Sequence, residues 1–76
     1  MTSLAKISVG SSAKVIGFRK DDHTFRRKLL SMGLTPGAVI EVVRIAPLGD
    51  PLQLNVRGVS LTLRHTEADT ILVEQV

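Results

Sequence analysis

The sequence contains no cysteine, no tryptophan and no tyrosine, and its only aromatic residues are Phe18 and Phe25. Without cysteine there is no disulfide scaffold, no thiolate zinc site and no thiol nucleophile. That composition suits a reducing compartment. Two rings are too few for an aromatic-lined enzyme pocket or a base-stacking surface. No stretch reaches the roughly 18 consecutive apolar residues of a membrane-spanning helix. The opening Met-Thr-Ser-Leu-Ala-Lys-Ile also lacks the apolar run of a signal peptide.

Catalytic groups are equally scarce. His23 and His65 stand far apart in the chain, and neither sits in a ligand cluster. His65-x-Glu67-x-Asp69 is the nearest approach to a ligand motif, and the plainer reading is a partly exposed histidine next to a helix cap. Gly33-Leu34-Thr35-Pro36-Gly37 has neither the lysine nor the flanks of a phosphate loop. The expectation is a protein that is not an enzyme and that holds no metal and no cofactor.

What the chain does have is aliphatic. Of its 76 residues 43% are hydrophobic, enough for one domain over residues 1–76. A chain this short buries only about 60% of its unfolded surface, so its stability margin is thin. The net charge of +3 is unevenly spread: Arg19, Lys20, Arg26, Arg27 and Lys28 come early, against Asp21 and Asp22. Glu67, Asp69 and Glu74 come late, with no lysine or arginine after His65. This polarity reads either as solvated surface or as a basic face for an acidic partner.

Residues 13–18 read as a strand, with Gly17 marking a bulge or bend. Ahead of it Val9-Gly10-Ser11-Ser12 is a turn, and Leu4 and Ile7 are isolated apolar anchors. Residues 24–32 form the one convincing helix. Thr24 is its expected N-cap, and Phe25, Leu29 and Met32 share a face. Gly33 sits where a left-handed stop is wanted, with Leu34 placed to touch Leu29, and Pro36-Gly37 suits a type II turn.

Residues 38–46 read as a strand with a bulge near Val42 and Val43, followed by the rigid loop Pro47-Leu48-Gly49-Asp50-Pro51. Then comes the cleanest pattern. Leu52, Leu54 and Val56 alternate with polar residues, and after a turn at Arg57-Gly58 so do Val59, Leu61 and Leu63. This is a hairpin with one apolar face, expected to be core throughout. Residues 66–69 have capping-box spacing with Asp69 as the acid, and residues 71–75 supply a last strand. The fold class is mainly β: a small, bent barrel of about five strands with one short helix in an early connection.

On that helix, Leu30 points away from the apolar stripe, because each residue advances about 100°. Arg26 and Arg27 neighbour it, so Arg26, Arg27, Leu29 and Leu30 are the expected partner-binding residues.

The segments 28–37 and 44–51 closely resemble the FeoA family of bacterial ferrous iron transport. Val56-Arg57-Gly58-Val59-Ser60-Leu61-Thr62-Leu63-Arg64 and the acidic tail fit as well, so that the likeness spans about residues 7–76. The resemblance implies an SH3-like barrel. It also implies a cytoplasmic accessory or regulatory protein, recruited to the membrane through the cytosolic portion of the iron permease FeoB. No nucleic acid and no direct membrane insertion are expected, while a weak homo-oligomer is compatible with the pattern. Two other readings compete: the C-terminal module of an iron- or manganese-dependent repressor, and a nucleic-acid-binding barrel suggested by the pI near 10. A chain opening at Met1 without a DNA-binding segment ahead of it fits the transport family better than the repressor.

Overall fold

Alternating apolar and polar residues set a single antiparallel sheet. The computed structural model describes residues 2–19 and 23–76, so that Lys20, Asp21 and Asp22 of the early charged stretch lie outside the described residues. In chain order the elements are β1 (Thr2–Ser3), a 3₁₀ turn (Leu4–Lys6), β2 (Ser12–Phe18), α1 (His23–Ser31) and β3 (Val39–Ile45). Then follow β4 (Leu52–Val56), β5 (Val59–Leu63), α2 (His65–Ala68) and β6 (Ile71–Gln75). The strand order is β1-β6-β2-β3-β4-β5. The sheet is open and strongly bent around one core, with α1 in the connection between β2 and β3.

The five expected strands are all present. The sixth, β1, is two residues long and pairs Thr2 with Val73 and Ser3 with Leu72. Both expected irregularities occur, as register shifts between Val15 and Gly17 and between Val42 and Arg44. They bend the sheet so that Ala13, Val15, Ile40, Val42, Leu54, Ile71 and Val73 close on one interior, into which Leu4 and Ile7 also tuck.

At the end of α1 the Leu34 N–H donates to the Leu29 carbonyl (3.1 Å) and the Gly33 N–H to that of Leu30 (3.1 Å). Gly33 sits at φ 90°, where a side chain is disfavoured. This is the expected Schellman stop, and it seats Leu29 and Leu34 together in the core. The Ala38 N–H donates to the Thr35 carbonyl (2.9 Å), closing the turn at Pro36-Gly37.

Three expectations need correction. Thr24 is not a cap but the second residue of α1 as described, since the helix already includes His23. The acid of the α2 capping box is Glu67, not Asp69: its carboxylate accepts the Arg64 N–H at 2.9 Å, so the N-cap is Arg64, two residues earlier than the spacing implied. Val59 is 57% exposed and is not core. It lies beside the hairpin turn on β5, which among the described residues pairs with a strand on one side only.

Candidate partner-binding surface

Packing decides the rotation of α1. Leu29 is 0% exposed, and Phe25 and Met32 pack half-buried against the same core. This stripe turns Leu30 outward, 36% exposed, with Arg27 exposed at its side. Arg26 is half-buried and lays its guanidinium 5.8 Å from the centroid of the Phe18 ring, a cation–π arrangement that fixes its direction.

The outward face of α1 therefore carries Leu30 with Arg27 beside it and Arg26 at its edge. Leu29, expected among the partner-binding residues, offers no surface. Its place in the core follows from the same stripe that exposes Leu30, and its task is to seat the helix.

The charges separated along the sequence meet in space. Lys28 Nζ donates to Glu67 Oε2 at 3.1 Å, and Arg19 lies 3.5 Å from Asp69. Part of the early basic cluster is thus matched by the chain's own late acids, which ties α1 to α2. The Arg64 N–H, and after it the Lys28 ammonium, hold the Glu67 carboxyl below its ordinary pKa against the opposing effect of burial. The His65 N–H donates to Asp50 Oδ1 (2.7 Å), which anchors the 47–51 loop to the first turn of α2. Nothing in the local sequence signals Asp50 or the Lys28–Glu67 contact, because the partners are 15 and 39 residues apart.

The Glu67 and Asp69 carboxylates thus serve separate contacts, and His65 contributes its backbone N–H. Among the described residues no three histidine, cysteine or acidic side chains come together as a metal-binding group. On the outer face of the sheet a shallow groove of about 210 Å³ is lined by Arg44, Ala46, Pro51, Gln53 and Thr62. Its lining includes the Thr62 hydroxyl but no histidine, cysteine or carboxylate. Among the described residues no helix is long and apolar enough to cross a membrane.

The comparisons with known proteins that rise above a likeness of fold are to FeoA proteins. A FeoA-like protein from Clostridium acetobutylicum is 41% identical and superposes with a TM-score of 0.89, over 99% of this chain and 86% of that one. FeoA from Chlorobium tepidum is 37% identical with a TM-score of 0.90, over 99% and 70%. Zinc-complexed FeoA from Stenotrophomonas maltophilia, described as an SH3 domain protein, is 25% identical with a TM-score of 0.84, over 97% and 91%. The SH3-like architecture expected from the sequence is therefore shared.

A manganese-dependent transcriptional repressor reaches a TM-score of 0.90 at 16% identity, a likeness of fold alone. A fusion of Fe(2+) transport protein A with the transporter FeoB from Porphyromonas gingivalis is 32% identical over 71 residues. These are 93% of this chain but 8% of the length of the fusion protein. With the family model of the FeoA domain matching residues 2–75 as well, the chain belongs to the FeoA family.

Proposed function

We propose that this chain is a non-enzymatic accessory protein of ferrous iron uptake that binds the permease FeoB at its cytosolic portion through the outward face of α1. The observation that carries the reading is the fusion in Porphyromonas gingivalis, where a FeoA-type segment and FeoB share one polypeptide. Segments joined in one chain in one organism are commonly associated as separate chains in another. The groups on α1 supply a means: an exposed leucine, Leu30, with Arg26 and Arg27 around it, an apolar centre with a charged rim. Iron in this reading is the cargo of the permease, and the chain itself acts by contact from the cytoplasmic side.

The test is capture of membrane extract on the tagged protein, with bound proteins identified by mass spectrometry. The expected result is recovery of FeoB, reduced by Arg26→Glu with Arg27→Glu. Recovery of nucleic acid or of repressor proteins in its place would contradict the reading.

A further inference from the structure

The α1 surface makes no use of the loop Pro47-Leu48-Gly49-Asp50-Pro51, yet the chain holds this loop firmly. The Gly49 N–H donates to the Ala46 carbonyl (2.7 Å), and the Ala46 N–H donates to that of Pro51 (3.1 Å). The Asp50 carboxylate accepts the His65 N–H at 2.7 Å. These bonds fix Ala46 and Pro51, at the base of the loop, as one wall of the groove on the outer face of the sheet.

The other wall is set by register. Arg44 stands opposite Gln53, and Gln53 opposite Thr62, so the three form a row across β3, β4 and β5. Arg44 reaches that row only because of the irregularity after Val42. In an unbroken ladder Val43 would face Gln53, and Arg44 would face Leu52 and turn to the core. A bulge that re-aims one side chain is a device found beside binding sites. Arg57 and Gly58 both have positive φ, as in a two-residue type I′ turn, which makes Val56 and Val59 a hydrogen-bonded pair. Such pairs alternate along the ladder, so Gln53 and Thr62 form a non-hydrogen-bonded pair, whose side chains lie closest together.

The chemistry of the lining selects a ligand class. The Arg44 guanidinium is a fork of N–H donors with no acceptor, and the Gln53 amide and Thr62 hydroxyl add further donors. Arg44 carries the single formal charge among the lining residues. The carboxylates of the surrounding segments do not neutralise it. Asp50 Oδ1 accepts the His65 N–H, and the two Glu67 oxygens accept the Arg64 N–H and the Lys28 ammonium. Glu41 lies in the row of Ser12 and Asn55, and among the described residues Arg44 forms no ion pair with any acid. The volume of about 210 Å³ falls below the roughly 300–1,000 Å³ of pockets that take drug-sized ligands. One guanidinium matches one carboxylate in charge and in planar shape, and Ala46 and Pro51 offer an apolar wall to a few carbons.

From these observations we infer that the groove binds a carboxylate on a short aliphatic arm. Arg44 grips the carboxylate, Gln53 and Thr62 donate to it, and Ala46 and Pro51 meet the arm. A free aliphatic acid and a glutamate side chain of another protein share this chemistry. The groove has no residue in common with the outward face of α1, and the inference stands whether or not α1 binds FeoB.

The probes are butyrate and the blocked peptide acetyl-Gly-Glu-Gly-amide, each titrated into isotope-labelled protein at an ionic strength held constant with chloride and followed by NMR. The expected result is saturable shifts, at millimolar probe, of the Gln53 and Thr62 amides and the Arg44 side-chain N–H, without saturation at Arg27 or Arg57. Tighter binding of butyrate assigns the groove to a free acid, and tighter binding of the peptide assigns it to a glutamate side chain; either supports the inference. Arg44→Gln should weaken binding by about tenfold or more, and Thr62→Val, which removes the hydroxyl and keeps the shape, by roughly threefold. All three polar residues are exposed, so the variants should keep the parent spectrum elsewhere. Should Arg44→Gln disturb the sheet, Arg44→Lys replaces it, and the loss of the fork should still weaken binding severalfold. Shifts no different from those with chloride alone, or binding unchanged by loss of the Arg44 guanidinium, would overturn the inference. So would inorganic phosphate binding more tightly than either carboxylate.

Discussion

β4 and β5 carry the same alternation of apolar and polar residues and face each other residue for residue, yet they are buried very differently. Leu52, Leu54 and Val56 on β4 are all buried. On β5, Leu63 is buried, Leu61 is half-buried and Val59 is exposed. Among the described residues β4 has a strand on both sides, whereas β5 has one and begins at a turn. Alternation thus selects the face a residue is offered to, and position in the sheet decides whether anything covers it.

Substitutions along the hairpin sharpen that contrast. Leu54→Ala should cost about 2–5 kcal/mol, enough to unfold much of so small a domain at ordinary temperature, as a urea melt would read. Leu61→Ala, at a site only partly covered, should cost roughly 1–2 kcal/mol. Equal losses at the two positions would erase the distinction between the strands.

A smaller effect comes from Glu67, which stands between the end of β5 and α1. Its pKa is lowered in the folded state, so the stability it contributes is present above its unfolded pKa and is lost as the pH falls through its folded value. Glu67→Gln should therefore cost no more than about 1 kcal/mol near neutrality and remove that part of the acid-side decline, as seen by comparing melts across the acid range. The least effect belongs to Val59→Thr, expected within about 0.5 kcal/mol of the parent. A larger loss would mean that Val59 is covered after all.

Much of this fold was legible because its signals are local. The Phe25, Leu29, Met32 stripe, the stop at Gly33 with Leu34, the turn at Pro36-Gly37 and both bulges depend on neighbours within a few residues. What escaped depends on distant partners. Two residues cannot announce a strand, and β1 exists because β6 presents an edge to Thr2 and Ser3. Glu67, rather than Asp69, became the cap acid where β5 ends and the chain turns into α2, with Lys28 of α1 reaching its other oxygen.

The candidate surface was legible in the same measure. The spacing that exposes Leu30 could be read from periodicity, and it equally required that Leu29 be buried. The pairing of Lys28 and Arg19 with late acids, which removes them from the basic cluster, could not.

Leu29 and Leu30 are adjacent in the chain and opposite in exposure, and they give the most direct test of the central claim that the outward face of α1 engages FeoB. The measurement is iron uptake in cells carrying Leu30→Gln or Leu29→Gln, beside thermal melts of each purified protein. The account predicts that Leu30→Gln abolishes uptake and shifts stability by less than about 0.5 kcal/mol, whereas Leu29→Gln loses both uptake and fold. Normal uptake with Leu30→Gln, or a collapsed melt in that variant, would contradict it.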